Sequence, residues 1–151
     1  AGIMDALSEA NVPVSNVRQI DYHTVFGSPV PSTSSYKSYE ELFFPVDYTA
    51  VIGFNDLQSY SAMEILKERG YRIPEDISLI SFDHLRKTHT YLPPLTSIAD
   101  NTDKSIADTA VSILLDKIKN SDSKFTGAVL PVTIYDGHTT GPVNKAFETS
   151  F

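Results

Sequence analysis

The stretch from Thr49 to Asp83 leaves this chain little freedom of fold. Thr49-Ala50-Val51-Ile52-Gly53-Phe54 is a continuous apolar run of strand length. Asn55-Asp56 follows, and Leu57, Tyr60, Met63 and Leu66 then recur at i+3 as far as Arg69, the stripe of an amphipathic helix of about four turns. Lys67 and Arg69 stand in its last turn, where they suit the helix dipole, and Gly70 suits the left-handed position beyond the cap. Pro74-Glu75-Asp76 makes a turn before a second apolar run, Ile77 to Phe82. Strand, helix and strand in this order form a βαβ unit, with parallel strands and a right-handed crossover. The expected class is therefore α/β, a mainly parallel sheet flanked by helices.

The flanks extend this plan. Ile3 and Leu7 at i,i+4, with Asn11 before Pro13, predict a helix over Ile3 to Ala10, and a short strand follows over Val17 to Ile20. Phe26 to Ser35 is a loop, rich in Gly, Ser, Thr and Pro. Tyr36, Tyr39, Leu42 and Phe43 recur at helical spacing until Pro45. A third strand is expected over Leu95 to Ile98, and a helix over Asp103 to Lys119 with Ile106, Ala110, Ile113, Leu114 and Ile118 on one stripe. A last strand runs over Ala128 to Tyr135, ending at the turn Asp136-Gly137, and the tail from Asn144 is expected to be poorly ordered.

In such a sheet, ligands bind beyond the carboxyl ends of the strands, where loops diverge. The residues there are Asp21-Tyr22-His23, Asn55-Asp56, Asp83-His84 and Asp100-Asn101, and every group contains Asp. Carboxylates and an amide along one edge suit two tasks: accepting hydrogen bonds from the hydroxyls of a sugar or polyol, or holding a hard cation such as Mg²⁺ through oxygen. Asp and Asn are also favoured helix N-caps, which gives Asp56, and an Asp near 100 to 103, a purely structural use. Asn55 and Asp83 have less need of that explanation, since each follows directly on an apolar strand.

Other chemistry finds little support. The charge is −7, from 12 Lys and Arg against 19 Asp and Glu, and an acidic surface repels a phosphate backbone. With no Cys there is no disulfide and no thiolate site. The four His residues lack metal-ligand spacing, so no metal and no cofactor is expected. No apolar run reaches the roughly 20 residues needed to cross a bilayer, so no membrane partner is expected. There is no nucleophile elbow and no Gly-rich phosphate loop. A Mg²⁺-dependent phosphotransfer site on Asp56 or Asp83 would want a positioned Lys, and only Lys87 and Lys104 offer one.

One resemblance goes further. Thr49 to Asp56, Ser61-Ala62-Met63, Glu68-Arg69-Gly70, Ile73 to Asp83 and Tyr91-Leu92-Pro93-Pro94-Leu95-Thr96-Ser97-Ile98 together resemble the effector-binding domain of LacI/GalR-type bacterial transcription regulators. Ala1-Gly2 with its helix, and Leu130 to Ile134, resemble that family's flanking elements. The resemblance implies a type I periplasmic-binding-protein-like fold of two α/β lobes joined by three crossings, behind an N-terminal helix-turn-helix. This chain, which begins without Met inside a helix, would be the second lobe with the returning helix 103–119 and the terminal strand. The helix-turn-helix and most of the first lobe would lie upstream, along with the family's ligand-clamping Arg.

By the same resemblance the expected ligand-binding residues are Asn55, which matches a sugar-hydroxyl-binding Asn, Asp83, Asp100 near the third crossing, and Tyr22 on an aromatic wall. His84 departs from the usual second Asp, Ser35-Tyr36-Lys37-Ser38 from a Ser-Gly-Tyr-x-Ala pattern, and Asp136 from a frequent Arg. A homodimer interface would use Gln58, Ala62, Ile65 and the segment from Arg86 to Tyr91, although Ala62 and Ile65 read equally well as core. The expected function is non-enzymatic and cytoplasmic: sensing a small effector, most simply a saccharide, to control DNA binding by the upstream domain. A sugar-binding transport receptor of the same fold is the alternative.

Overall fold

The computed structural model describes residues 2–20, 43–85, 93–100, 105–120 and 127–144, in two compact units divided after Tyr48. The first holds helix α1 (Ile3–Glu9) and a 3-10 turn, Val14–Asn16. The amides of Asn11 and Val12 return to the carbonyls of Ser8 and Leu7 at 3.0 and 2.8 Å, with Asn11 in left-handed conformation, φ 56°. This closure is the one Asn serves best after Gly. Val17 to Ile20 is not a strand: nothing among the described residues pairs with it. Arg18 instead holds this unit's end, with its guanidinium 5.0 Å from the Tyr48 ring and 3.6 Å from Asp47. The helical spacing at Tyr36 to Leu42 lies outside the described residues.

The second unit is a four-stranded sheet in sequence order: β1 (Ala50–Ile52), β2 (Ser78–Phe82), β3 (Thr96–Asp100) and β4 (Val132–Tyr135). β1, β2 and β3 are parallel, and β4 runs antiparallel to β3. Helix α2 (Asp56–Glu68) joins β1 to β2 as the βαβ reading requires. Its buried stripe of Tyr60, Ala62, Met63, Ile65 and Leu66 makes the core with Ile73, Ile77, Leu79 and Leu95. Gly70, at φ 88°, returns its amide to Lys67 while Tyr71 returns to Leu66, the helix stop read from the sequence.

Several boundaries move. β1 and β4 are shorter than their apolar runs because pairing, not hydrophobicity, defines a strand; β3 is longer, since Ala99 and Asp100 find partners in Thr133 and Val132. Helix α3 spans Ile106–Lys119 rather than starting at 103, because Ser105 is the N-cap and its side chain accepts the Asp108 amide. No residue of α3 is buried, and Ile106, Val111, Leu114, Leu115 and Ile118 are all exposed. No helix among the described residues is long and apolar enough to cross a membrane.

At the amino ends of β2 and β3 the sheet is closed by residues 136–144. Thr139, fully buried, donates its hydroxyl to the Leu79 carbonyl at 2.7 Å and accepts the Thr96 amide at 2.9 Å. Its carbonyl accepts the Leu79 amide, also at 2.7 Å. The carboxyl ends of the strands are left for a site.

Candidate binding site at the strand ends

Register brings two of the expected residues to one level. Ile52 pairs with Ile80, so Asn55 and Asp83 each stand three residues past a paired position on adjacent strands, which lie about 4.8 Å apart. Asn55 is the N-cap of α2: its side-chain oxygen accepts the Gln58 amide at 3.0 Å. The sequence reading gave that role to Asp56, and the structure corrects it. The cap needs a residue still in extended conformation, and Asn55 has φ −153° and ψ 169° while Asp56 is already helical. The cap occupies only the oxygen, and the Asn55 amide nitrogen has no hydrogen-bond partner among the described residues.

Asp56 turns inward and is 1% exposed. One carboxylate oxygen accepts the Leu85 amide at 2.6 Å and the other the Ser97 hydroxyl at 2.8 Å. Asp83 is the reverse case. Its backbone amide donates to Ile98 at 2.9 Å, but its exposed carboxylate has no partner among the described residues. Asp83 and His84 both have positive φ, 91° and 46°, a conformation costing roughly 1–3 kcal/mol per residue that bears a Cβ.

Asp100 ends β3, where its carboxylate accepts the Ile106 amide at 2.7 Å. That satisfies a free N–H at the start of α3, a structural use the sequence allowed. Its carbonyl accepts the Tyr135 hydroxyl at 3.4 Å. His84 lies flat on Tyr135, with centroids 3.8 Å apart and planes 7° apart. His84 also lines a cavity of about 100 Å³ with Asp56, Tyr60, Pro94, Leu95, Asp136 and Gly137. No group of three His, Cys, Asp or Glu among the described residues is placed to hold a metal.

Tyr22, Arg86 and Tyr91 lie outside the described residues. Of the expected interface residues on α2, Ala62 and Ile65 are 2% and 1% exposed. They belong to the core and have no surface to offer a partner, whereas Gln58 is part-exposed. Two features escaped the sequence reading. The Asp56 anchor looked like an ordinary cap, and Phe54, 80% exposed beside Asn55, looked like the end of a buried strand.

The whole arrangement matches a known family. The periplasmic binding protein-like domain model matches residues 2–140. The HTH-type transcriptional repressor PurR of Aliivibrio salmonicida is 37% identical over 120 residues, 79% of this chain and 34% of that protein. The chain belongs to the LacI/GalR family. Among solved LacI-family structures, a transcriptional regulator from Enterococcus faecium with bound ribose aligns with TM-score 0.68 at 25% identity, covering 94% of this chain and 50% of that one. The dimeric Lac repressor aligns with TM-score 0.61 at 27% identity over 72% of this chain and 40% of that one. The chain thus spans about a third of the length of the curated LacI/GalR relatives it matches.

Proposed function

We propose that this chain is the second lobe of the effector-binding domain of a LacI/GalR-type transcriptional regulator, and that it takes part of a small polyhydroxylated effector at its strand ends. The observation that carries this reading is that Asn55 and Asp83 each stand three residues past the Ile52–Ile80 pair, at the carboxyl ends of neighbouring strands. Asn55 offers an amide N–H pair and Asp83 a carboxylate, each without a partner among the described residues, the donor and acceptor that a pair of neighbouring sugar hydroxyls needs. The ribose bound to the E. faecium relative supports a saccharide as the effector class. Asp100 contributes through its position at the end of β3, and Tyr22 is proposed as an aromatic wall.

The exposed apolar row of α3 is proposed to pack on the first lobe of the complete chain, since a stripe of this kind is rarely left in water. An upstream helix-turn-helix supplies the basic DNA-binding surface that an acidic lobe lacks, and the protein works in the cytoplasm as a homodimer using Gln58 and the segment from Arg86 to Tyr91. An effector then shifts DNA binding only by its differential affinity for the two lobe arrangements.

The test uses the full-length protein with a panel of pentoses, hexoses and disaccharides, read by thermal shift and by operator binding in fluorescence anisotropy. At least one saccharide is expected to raise the melting temperature and change operator affinity, and Asp83→Ala to abolish both responses. A shift that survives Asp83→Ala intact, or a panel without any response, refutes the reading.

A further inference from the structure

Two consecutive non-glycine residues in left-handed conformation, Asp83 and His84, do not persist unless their surroundings hold them. Here the hold is specific. The Asp83 amide donates to the Ile98 carbonyl at 2.9 Å, the His84 amide to Ser97 Oγ at 3.0 Å, and the Leu85 amide to Asp56 Oδ2 at 2.6 Å. Ser97 Oγ in turn donates to Asp56 Oδ1 at 2.8 Å, inside the core. Three successive amides are therefore fastened, two of them through one buried carboxylate. The Asp83 carboxylate is bonded to none of the described residues.

We infer that Asp56 is a positioning residue of the binding site. Acting through Ser97 and Leu85, it fixes the left-handed pair and so sets where the Asp83 carboxylate meets a ligand hydroxyl. This rests on the effector reading above and deepens it. Asp56 is also the first residue of α2, next to the cap Asn55, so one helix start orients both polar groups: Asn55 directly, Asp83 by way of the clamp. A carboxylate held in place before binding loses less freedom when a hydroxyl engages it, which is what selectivity among isomeric polyols requires.

The experiment compares Asp56→Asn, Ser97→Ala and the double variant in the full-length protein with a core control, Leu66→Ala. Amide hydrogen exchange over residues 83–85 and affinity for the saccharide that gives the largest thermal shift with the wild type are both measured. In Asp56→Asn, exchange at His84 and Leu85 is expected to rise about tenfold more than in β1 and β2, with saccharide affinity falling by about tenfold. Ser97→Ala is expected to act mainly at His84, and the double variant to lose less affinity than the two single losses combined. Leu66→Ala, at a temperature where it remains folded, is expected to keep wild-type affinity. The inference is overturned if Asp56→Asn raises exchange evenly across the sheet, if it leaves the turn unchanged, or if the turn loosens with no change in affinity. A panel in which no saccharide binds the wild type refutes the effector reading, and with it the ligand role of Asp56. The exchange data then still decide separately whether Asp56 holds the turn.

Discussion

Thr139→Val is a sharp test of how the sheet is closed. The substitution is nearly isosteric and keeps both branches at Cβ, so it leaves no cavity, but it removes one hydroxyl that is a donor to the Leu79 carbonyl and an acceptor for the Thr96 amide. Thr139 is fully buried, so water cannot replace either bond. Each buried group left without a partner costs about 1–3 kcal/mol, and the better burial of a methyl than of a hydroxyl returns part of that. The net loss is about 2–4 kcal/mol, a large share of the roughly 5–15 kcal/mol that holds a domain together. With a urea dependence of about 2 kcal/mol per molar, the midpoint should fall by about 1–2 M. Thr139→Ser keeps the hydroxyl, loses one methyl group, and should cost about 1 kcal/mol. Thr139 lies at the opposite ends of the strands from Asn55 and Asp83, so effector affinity should not change in either variant. A midpoint within about 0.3 M of wild type for Thr139→Val would show that the hydroxyl bridge between β2 and β3 does not stabilise the sheet.

Asn55 and Asp83 should separate by stability as well as by binding. Asn55→Ala loses the cap and about 1 kcal/mol, seen as a lower melting temperature without ligand, whereas Asp83→Ala removes a carboxylate bonded to no described residue and should leave that temperature near wild type. Gly137→Ala should destabilise by at least about 1–3 kcal/mol in urea unfolding, because its Cβ would fall on the Leu95 carbonyl, a backbone group that cannot swing aside. Gly127→Ala, with open space around it, should stay within about 0.5 kcal/mol. Hydrogen bonds from the Arg72 side chain, at 2.8 and 2.7 Å, and from its backbone amide, at 2.9 Å, hold the Asp76 carboxyl down at about 2, helped by Asn144. A depressed carboxylate stabilises the fold above its unfolded pKa of about 4 and ceases to do so as pH falls through its folded value. The melting-temperature gap between wild type and Asp76→Asn should therefore be full at neutral pH, narrow from about pH 4 downwards and close near pH 2; a gap independent of pH would contradict the assignment.

The βαβ unit could be read directly because its signals are local. Apolar runs of strand length, an i+3 stripe and the Gly70 stop each mark their own stretch of backbone, and β1, α2 and β2 formed at those stretches, though β1 is shorter than its apolar run. The placement of Asn55 and Asp83 was equally legible, since topology alone sends them to the same edge. Roles within that edge were not. Asn55 and Asp56 are adjacent residues that can both cap a helix, and only the backbone at the turn decides which one remains extended and which turns into the core. Asp100 was named for its place at a strand end, yet the Ile106 amide claims its carboxylate. Ala62 and Ile65 sit on the same helix as Gln58, and only packing against β2 distinguishes core from surface there.

The sequence by itself determined the α/β class, the parallel pair and the family, because period, turn chemistry and motif order are properties of neighbouring residues. Tertiary structure alone decided that Thr139 closes the sheet, that His84 stacks on Tyr135, and that Asp56 reaches Leu85 and Ser97 across 29 and 41 residues of chain. Those contacts join segments whose separation along the chain leaves no periodic trace. Buried polar groups must find partners wherever the fold brings them, and the sequence names the groups without naming the pairs.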